Sequence, residues 1–176
     1  ITPHPQVKLV DAFHPLLFLH NTEQGKDTVP LNLELDRKNR IIIISGPNAG
    51  GKTVAMKTVG ILQLMLQSGL LVPVNPISEM GIFKQIMIHI GDTQSIENEL
   101  STYSAHLKDM KYFLENANGK TLFFIDELGG GTDPNLGGAF AEAIVERLSY
   151  KNSIGIITTH YLNLKVMAGK VSGILN

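Results

Sequence analysis

A glycine-rich segment that ends in lysine and threonine carries the clearest chemistry in the sequence. Residues 46–53 fit the pattern G-x-x-x-x-G-K-[ST] without a mismatch. A glycine backbone can approach phosphate closely because it has no Cβ, and the N–H groups at a helix start attract the anion. In this pattern the lysine reaches the outer phosphates and the threonine hydroxyl holds Mg²⁺. The candidate nucleotide-binding residues are therefore Gly46, Pro47, Asn48, Ala49, Gly50, Gly51, Lys52 and Thr53.

Two acids that follow an apolar run could complete the Mg²⁺ site that begins with the threonine hydroxyl. Residues 121–125 read Thr-Leu-Phe-Phe-Ile and lead directly into Asp126 and Glu127. An acid at the carboxyl end of a central strand lies where α/β sheets bind ligands, so we expect Asp126 to hold Mg²⁺ together with Thr53. Glu127 is placed where a carboxylate could accept a proton from an attacking water. The alternative is a solvated acid pair that opens a loop.

Three weaker candidates lie elsewhere in the chain. His160 ends the apolar run 156–159 and can donate to a γ-phosphate or a water, although a histidine at a strand end is often structural. Ser101 is a good N-cap residue, and a helix N-terminus with a serine hydroxyl is also a phosphate site. The glycine-rich loop 128–134 is either a plain strand-to-helix turn or a contact to a partner's nucleotide. We interpret His4, His20, His89 and His106 as surface or packed histidines.

The elements that must position these residues alternate between strands and helices. Continuous apolar runs predict buried strands at residues 41–45, 121–125 and 153–159. Apolar spacings of three and four predict helices at residues 52–68, 100–116 and 136–148. The predicted helix faces are Tyr103, Leu107, Met110 and Leu114, and Leu136, Phe140, Ile144 and Leu148.

The remaining N-terminal part has a different pattern. Residues 7–19 and 29–35 are interpreted as short strands around a loop. Together the patterns predict an α/β fold with a largely parallel sheet flanked by helices and a small N-terminal antiparallel β portion.

Composition limits the possible classes. A chain of 176 residues with 43% hydrophobic and 18% charged residues suits one folded domain. A net charge of −1 gives no electrostatic footprint for nucleic acid, so we expect DNA contacts outside this chain. The absence of cysteine excludes disulfides and thiolate zinc sites. No apolar run reaches the length of a membrane span and no signal peptide is visible, so we expect a cytoplasmic protein that does not contact a membrane.

The order of the segments resembles the ABC ATPase superfamily, and more closely the MutS family of mismatch-recognition ATPases. The similar segments are residues 46–53, 101–103, 126–134 and 158–160, with residues 14–17 similar to the start of the family's ATPase domain. Residues 90–106 look most like the second bacterial MutS branch, which is tied to suppressing recombination and to rescuing stalled ribosomes. The Leu-Ser-Gly-Gly-Gln signature of ABC transporters is absent, which counts against a transporter domain.

The resemblance implies an ABC-type P-loop ATPase that converts ATP and water to ADP and phosphate with Mg²⁺. Glu127 and His160 would be catalytic, and Ser101 would act in trans on the nucleotide of the partner in a homodimer. Thr28 and Val29 fall near the family's base-contacting segment.

The same resemblance implies a role for the longer protein. We expect residues 1–176 to be a single domain of a longer protein, because the chain begins at Ile1 rather than Met. It would act as a conformational switch in mismatch repair or recombination control, and DNA would bind to domains absent from this chain. A ribosome-rescue factor of the same family, a generic ABC-type nucleotide-binding domain, and a module that hydrolyses little ATP remain alternatives.

Overall fold

The structure is a computed structural model that describes residues 1–46, 51–90 and 99–176, without the side chains of residues 99–103. The strands are β1 (Val7–Ala12), β2 (Leu31–Leu35), β3 (Ile41–Ser45), β4 (Glu79–Met80), β5 (Gln85–His89), β6 (Thr121–Ile125), β7 (Ile154–Thr159) and β8 (Ile174–Leu175). The helices are α1 (Pro15–Glu23), α2 (Lys52–Gln67), α3 (Glu99–Asn116), α4 (Pro134–Tyr150) and α5 (Leu162–Ala168).

The larger sheet has five parallel strands in the order β5-β6-β7-β3-β8. Every residue of β6 and β7 is buried. Strands that are buried on both faces read as continuous apolar runs, which is why the sequence pattern located them. A small antiparallel sheet, in the order β2-β1-β4, stands at the N-terminus. The predicted α/β class, with its parallel sheet and small antiparallel portion, is confirmed.

Alternate side chains of β6 enter two different cores. Phe123 and Ile125 pack on the face covered by α3, α4 and α5, in a cluster with Met110, Ile144 and Leu164. Leu122 and Phe124 pack on the opposite face with residues of α2 and of the small sheet. This alternation follows from the two-residue period of a strand, and it anchors the end of β6 between two layers.

The strand predicted within residues 7–19 ends at Ala12, and the residues from Pro15 onward form helix α1 instead. Pro15 stands at the first helical position, and the Nδ1 atom of His14 accepts a hydrogen bond from the backbone N–H of Leu17 at 3.4 Å. No residue of α1 is buried. Its consecutive apolar residues therefore show no helical period, and only the cap and the proline indicate a helix.

The buried face of α3 also differs from the predicted one. Its buried residues include His106, Met110 and Phe113; the predicted Met110 is among them, whereas the predicted Leu107 is 36% exposed. An apolar pattern does not count a histidine, so the prediction placed Leu107 on the buried face instead of its neighbour His106. On α4, Ile144 and Leu148 are buried as expected, but Leu136 is 58% exposed.

Candidate functional site

The candidate residues follow three neighbouring strands at the carboxyl edge of the parallel sheet. β6, β7 and β3 are consecutive in the sheet, and they lead into Asp126, His160 and Gly46 respectively. The carboxyl ends of parallel strands meet at one edge, which is where α/β sheets bind ligands. Residues that lie far apart in the sequence are thereby brought together.

The two described ends of the glycine-rich segment have backbone conformations that favour glycine. Gly46 has a φ of 148° and Gly51 a φ of 77°. The Nζ atom of Lys52 donates to the backbone oxygen of Gly46 at 2.5 Å, so the lysine folds back along the segment. Pro47, Asn48, Ala49 and Gly50 lie outside the described residues, and their phosphate contacts stay predictions.

Asp126 joins the start of α2 to the end of β7. The Oγ1 atom of Thr53 lies 3.1 and 3.2 Å from the two carboxylate oxygens of Asp126, and the Thr158 hydroxyl also donates to that carboxylate. Asp126 is only 8% exposed. A buried carboxylate is tolerated when it accepts hydrogen bonds, and here hydroxyls from two other elements supply them.

The same oxygen atoms fit a magnesium ion. Carboxylate and hydroxyl oxygens are the ligands that Mg²⁺ prefers, and in nucleotide sites it takes only one or two of them from the protein. The described residues contain no group of three or more His, Cys, Asp or Glu that could hold a metal. The expected site has one carboxylate, from Asp126, and one hydroxyl, from Thr53. It is therefore not a group of the kind that is absent.

Glu127 has an unusual backbone conformation. Its φ of 54° lies in the left-handed region, which costs of the order of 1 kcal/mol for a non-glycine residue. Its N–H donates to the Thr158 hydroxyl at 2.8 Å, and its carbonyl accepts from the N–H of Gly130 at 3.0 Å. These two bonds hold the strained residue in place. Such strain is concentrated at functional sites, which favours the functional interpretation of this acid over a solvated acid pair.

His160, the other predicted catalytic residue, lies beside Glu127. Its Nε2 atom is 3.6 Å from the Oε1 atom of Glu127. This separation is too long for a hydrogen bond but short enough for an ion pair when the histidine is protonated. Both side chains keep contact with solvent, at 47% and 32% exposed. The two predicted catalytic residues therefore form one accessible pair beside the buried Asp126.

Tyr161 holds the loop that follows Glu127. Its hydroxyl donates to the carbonyl of Gly129 at 2.8 Å. A Cβ at residue 129 would lie 2.6 Å from the carbonyl oxygen of Gly137, so only glycine fits this close approach. The carboxylate of Asp133 caps α4 by accepting from two backbone N–H groups. Much of the loop is thus explained by local structure, and no sequence pattern distinguished Tyr161.

A cavity of about 440 Å³ opens beside the start of α2. Its lining includes Thr28 and Val29 and, at the start of α2, Gly51, Val54 and Ala55. The Nδ2 atom of Asn21 on α1 donates to the Thr28 hydroxyl at 3.0 Å, which holds the segment 28–29 against α1. The weakly indicated Thr28 and Val29 therefore share a cavity with Gly51, the last glycine of the glycine-rich segment.

A chain of two histidines and an aspartate connects β5 to α3. The Nδ1 atom of His89 lies 2.8 Å from an oxygen of Asp109, and its Nε2 atom lies 2.7 Å from Nδ1 of His106. His106 is 7% exposed, and its own Nε2 atom has no hydrogen-bond partner among the described residues. A neutral His106 that donates from Nδ1 satisfies this arrangement, because the unpaired Nε2 atom then carries no proton.

The environment of His106 favours that neutral form. Burial, and to a smaller extent the neighbouring His89, lower the pKa of His106 to about 4, while Asp109 opposes the change. The carbonyl of His89 also accepts the N–H of Asp126 at 2.8 Å. The helix that contains Ser101 is therefore tied to the strand that leads into Asp126. The side chain of Ser101 itself lies outside the described residues, and its role stays a prediction.

Comparison with known proteins agrees with this geometry. Residues 42–176 match the family model described as MutS domain V. The chain belongs to the MutS family. The predicted family is thereby confirmed, as is its P-loop ATPase fold. No helix among the described residues is long and apolar enough to cross a membrane.

Individual relatives of this MutS-family chain place it near the predicted second bacterial branch. It is 46% identical over 174 residues to endonuclease MutS2 of Thermomicrobium roseum, covering 99% of this chain and 21% of that protein. It is 47% identical over 163 residues to endonuclease MutS2 of Ruminiclostridium cellulolyticum, and the match covers 93% of this chain and 20% of that protein. It is 41% identical over 174 residues to endonuclease MutS2 of Gemmatimonas aurantiaca, and the match covers 99% of this chain and 21% of that protein. The chain thus spans about a fifth of the length of these relatives.

Replacing His106 should change how stability depends on pH. Unfolded histidine titrates at a pKa of about 6.5, whereas folded His106 titrates at about 4. Between these values the unfolded state binds more protons, so the stability contribution present above pH 6.5 is lost as the pH falls to 4. We expect the urea midpoint of the wild type to fall more steeply over this window than that of His106→Asn.

The matched control is His20→Asn, because His20 is exposed on α1. It should keep the wild-type dependence on pH. An unchanged pH dependence in His106→Asn would contradict the assignment of a neutral, buried histidine.

Proposed function

We propose that residues 1–176 form a single domain that binds and hydrolyses ATP and acts as a dimeric conformational switch. The observation that carries this proposal is the contact between the hydroxyl of Thr53 and the carboxylate of Asp126. It links the end of the glycine-rich segment to the end of β6, inside the region that matches MutS domain V. This pairing is the one that a nucleotide-bound Mg²⁺ requires in P-loop ATPases.

The phosphates of ATP would lie along the glycine-rich segment. The backbone N–H groups of residues 46–53 and the start of α2 would face the anion, and Lys52 would exchange its bond to the Gly46 carbonyl for the outer phosphates. Thr53 and Asp126 would hold the Mg²⁺, which when bound neutralises phosphate charge. The cavity beside Thr28 and Val29 adjoins Gly51, and we infer that it receives the adenine base.

Hydrolysis would use the accessible pair Glu127 and His160. Water attacks the γ-phosphorus, Glu127 accepts the water proton, and the bond to the bridging oxygen breaks to release ADP. His160 lies 3.6 Å from Glu127 and would donate to a γ-phosphate oxygen or orient the water. The strained backbone of Glu127 supports this proposal, because the surrounding hydrogen bonds fix the base before nucleotide binds.

The switch would work across two copies of the chain. Ser101 lies in the first turn of α3, and the glycine-rich segment precedes α2. We infer that the α3 N-terminus of one copy faces the γ-phosphate held by the other, so that ATP joins the copies. In the longer protein this movement would act on DNA-binding domains, in mismatch repair or recombination control. The relatives named endonuclease MutS2 support a role on DNA.

Glu127→Gln should separate ATP binding from hydrolysis. The amide keeps the shape of the side chain but accepts a proton poorly, so turnover should fall by about 100-fold or more while nucleotide affinity stays unchanged. The measurement is phosphate release together with an ATP titration.

Two further variants give this experiment its controls. Glu23→Gln makes the same chemical change on exposed α1 and should hydrolyse at the wild-type rate. Lys52→Ala should lose affinity itself, because the charge that faces the outer phosphates is removed. Wild-type turnover in Glu127→Gln would mean that this residue is not the base, and His160 would become the candidate.

A mixing experiment tests the role of Ser101 in trans. Ser101→Arg should bind ATP but neither dimerise with it nor hydrolyse it, because the bulky side chain blocks the facing site. Mixed with Lys52→Ala, it should regain part of the activity, since each heterodimer then contains one intact composite site. The measurement is ATPase rate against mixing ratio, with light scattering for mass. Full activity of Ser101→Arg alone would rule out a role in trans, as would inactive heterodimers.

A further inference from the structure

Every strand of the parallel sheet is preceded by a basic residue. Lys84, Lys120 and Arg40 stand directly before β5, β6 and β3, while Lys151 and Lys170 precede β7 and β8 by three and four residues. Because the strands are parallel, their amino ends lie at one edge, opposite the edge that holds Asp126. With two residues of the β2–β3 turn, this basic edge consists of Arg37, Lys38, Arg40, Lys84, Lys120, Lys151 and Lys170.

The strand order places these charges in a row. Read along the sheet, the residues before the strands are Lys84, Lys120, Lys151, Arg40 and Lys170. Neighbouring strands are about 4.8 Å apart, so the row extends over roughly 19 Å. Seven of the 15 lysines and arginines of the chain belong to the basic edge, an uneven distribution that the net charge of −1 conceals.

Among the described residues, no ion pair neutralises a charge of the basic edge. In the part of the chain that the structure describes, the ion pairs involve His89, Lys111 and His160, and none of the basic-edge residues. The one acid in the β2–β3 turn, Asp36, accepts from the backbone N–H groups of Lys38 and Asn39 instead. Five of the seven side chains are exposed, and the potential of such a cluster attracts polyanions.

A cavity at the centre of the basic edge contains a positioned arginine. It measures about 400 Å³ and is lined by His4, Arg37, Arg40 and Lys120, among others. The Nη1 atom of Arg40 donates to the carbonyl of Arg37 at 3.0 Å, and Nη2 lies 3.4 Å from the Ser149 hydroxyl. Among the described residues the buried Nε atom of Arg40 has no hydrogen-bond partner. The protein thus fixes a guanidinium beside a cavity without giving it a carboxylate.

We propose that the basic edge binds the phosphate backbone of duplex DNA, independently of sequence. A row of cations carried on the edge of a rigid sheet matches a rigid duplex, which carries one negative charge per about 1.7 Å of its axis. A flexible acidic peptide would gain less from such a row, because it must lose conformational freedom to follow it. This site is separate from the proposed ATP site, at the other edge of the sheet. The basic edge would thus provide a DNA contact within residues 1–176, in addition to the DNA contacts expected in other domains of the longer protein.

The test compares two double charge reversals. Lys38→Glu with Lys120→Glu changes two exposed residues of the basic edge, and Lys26→Glu with Lys108→Glu makes the same change at exposed positions elsewhere on the surface. The probe is a fluorescein-labelled 20-base-pair duplex, followed by anisotropy from 50 to 200 mM salt without nucleotide. We expect the first variant to bind about 10-fold or more weakly and to lower the salt slope by about two, since two phosphate contacts are lost.

The control variant should stay within about twofold of the wild type and keep its salt slope, because distant surface charges are screened. Equal losses in both variants would overturn the proposal, as would no binding by the wild type at 50 mM salt. A polyglutamate competitor that displaces DNA at equal charge concentration would assign the edge to an acidic protein and also overturn it. If Lys38→Glu with Lys120→Glu does not fold, Lys84→Glu with Lys170→Glu replaces it.

ATP hydrolysis should be unchanged in all of these variants. The DNA-binding assay contains no ATP or ADP. Its result can therefore be interpreted even if the ATPase proposal is wrong.

Discussion

The hydrogen bonds to the Asp126 carboxylate fix the geometry on which the rest of the site depends. Thr53 donates from the start of α2, and Thr158 donates from the penultimate residue of β7. The same Thr158 hydroxyl accepts the N–H of Glu127, so the proposed metal ligand Asp126 and the proposed base are positioned by one side chain. Because Asp126 is nearly buried, losing either hydroxyl would leave a poorly satisfied charge, and the arrangement is therefore tightly held.

The sequence predicted those parts of the fold in which local pattern and burial agree. β3, β6 and β7 lie in the middle of a sheet covered on both faces, and their continuous apolar runs located them to within one residue. The glycine-rich segment and the pair Asp126 and Glu127 were equally evident, because each follows such a strand. The glycine-rich segment and the acid pair lie at one edge because their strands are parallel, so strand direction alone predicts that they are close together.

Features that depend on contacts between distant segments were not predictable. Helix α1 buries no residue, so its sequence lacks a period. His89 and His106 are 17 residues apart and carry no spacing pattern, yet they share a hydrogen bond. The basic edge draws each charge from a different loop, so only the strand order reveals it, and the net charge of the chain conceals it. In each case the interaction is set by topology rather than by neighbouring residues.

The dependence of ATP affinity on Mg²⁺ in Thr53→Val is the most direct test of the site. Valine keeps the shape of threonine but lacks the hydroxyl that lies between α2 and Asp126. The wild type should bind ATP more tightly with Mg²⁺ than with a chelator, because the ion joins the nucleotide to Thr53 and Asp126. The variant should lose this gain and keep the affinity measured without the metal. A full Mg²⁺-dependent gain in Thr53→Val would show that the metal site lies elsewhere.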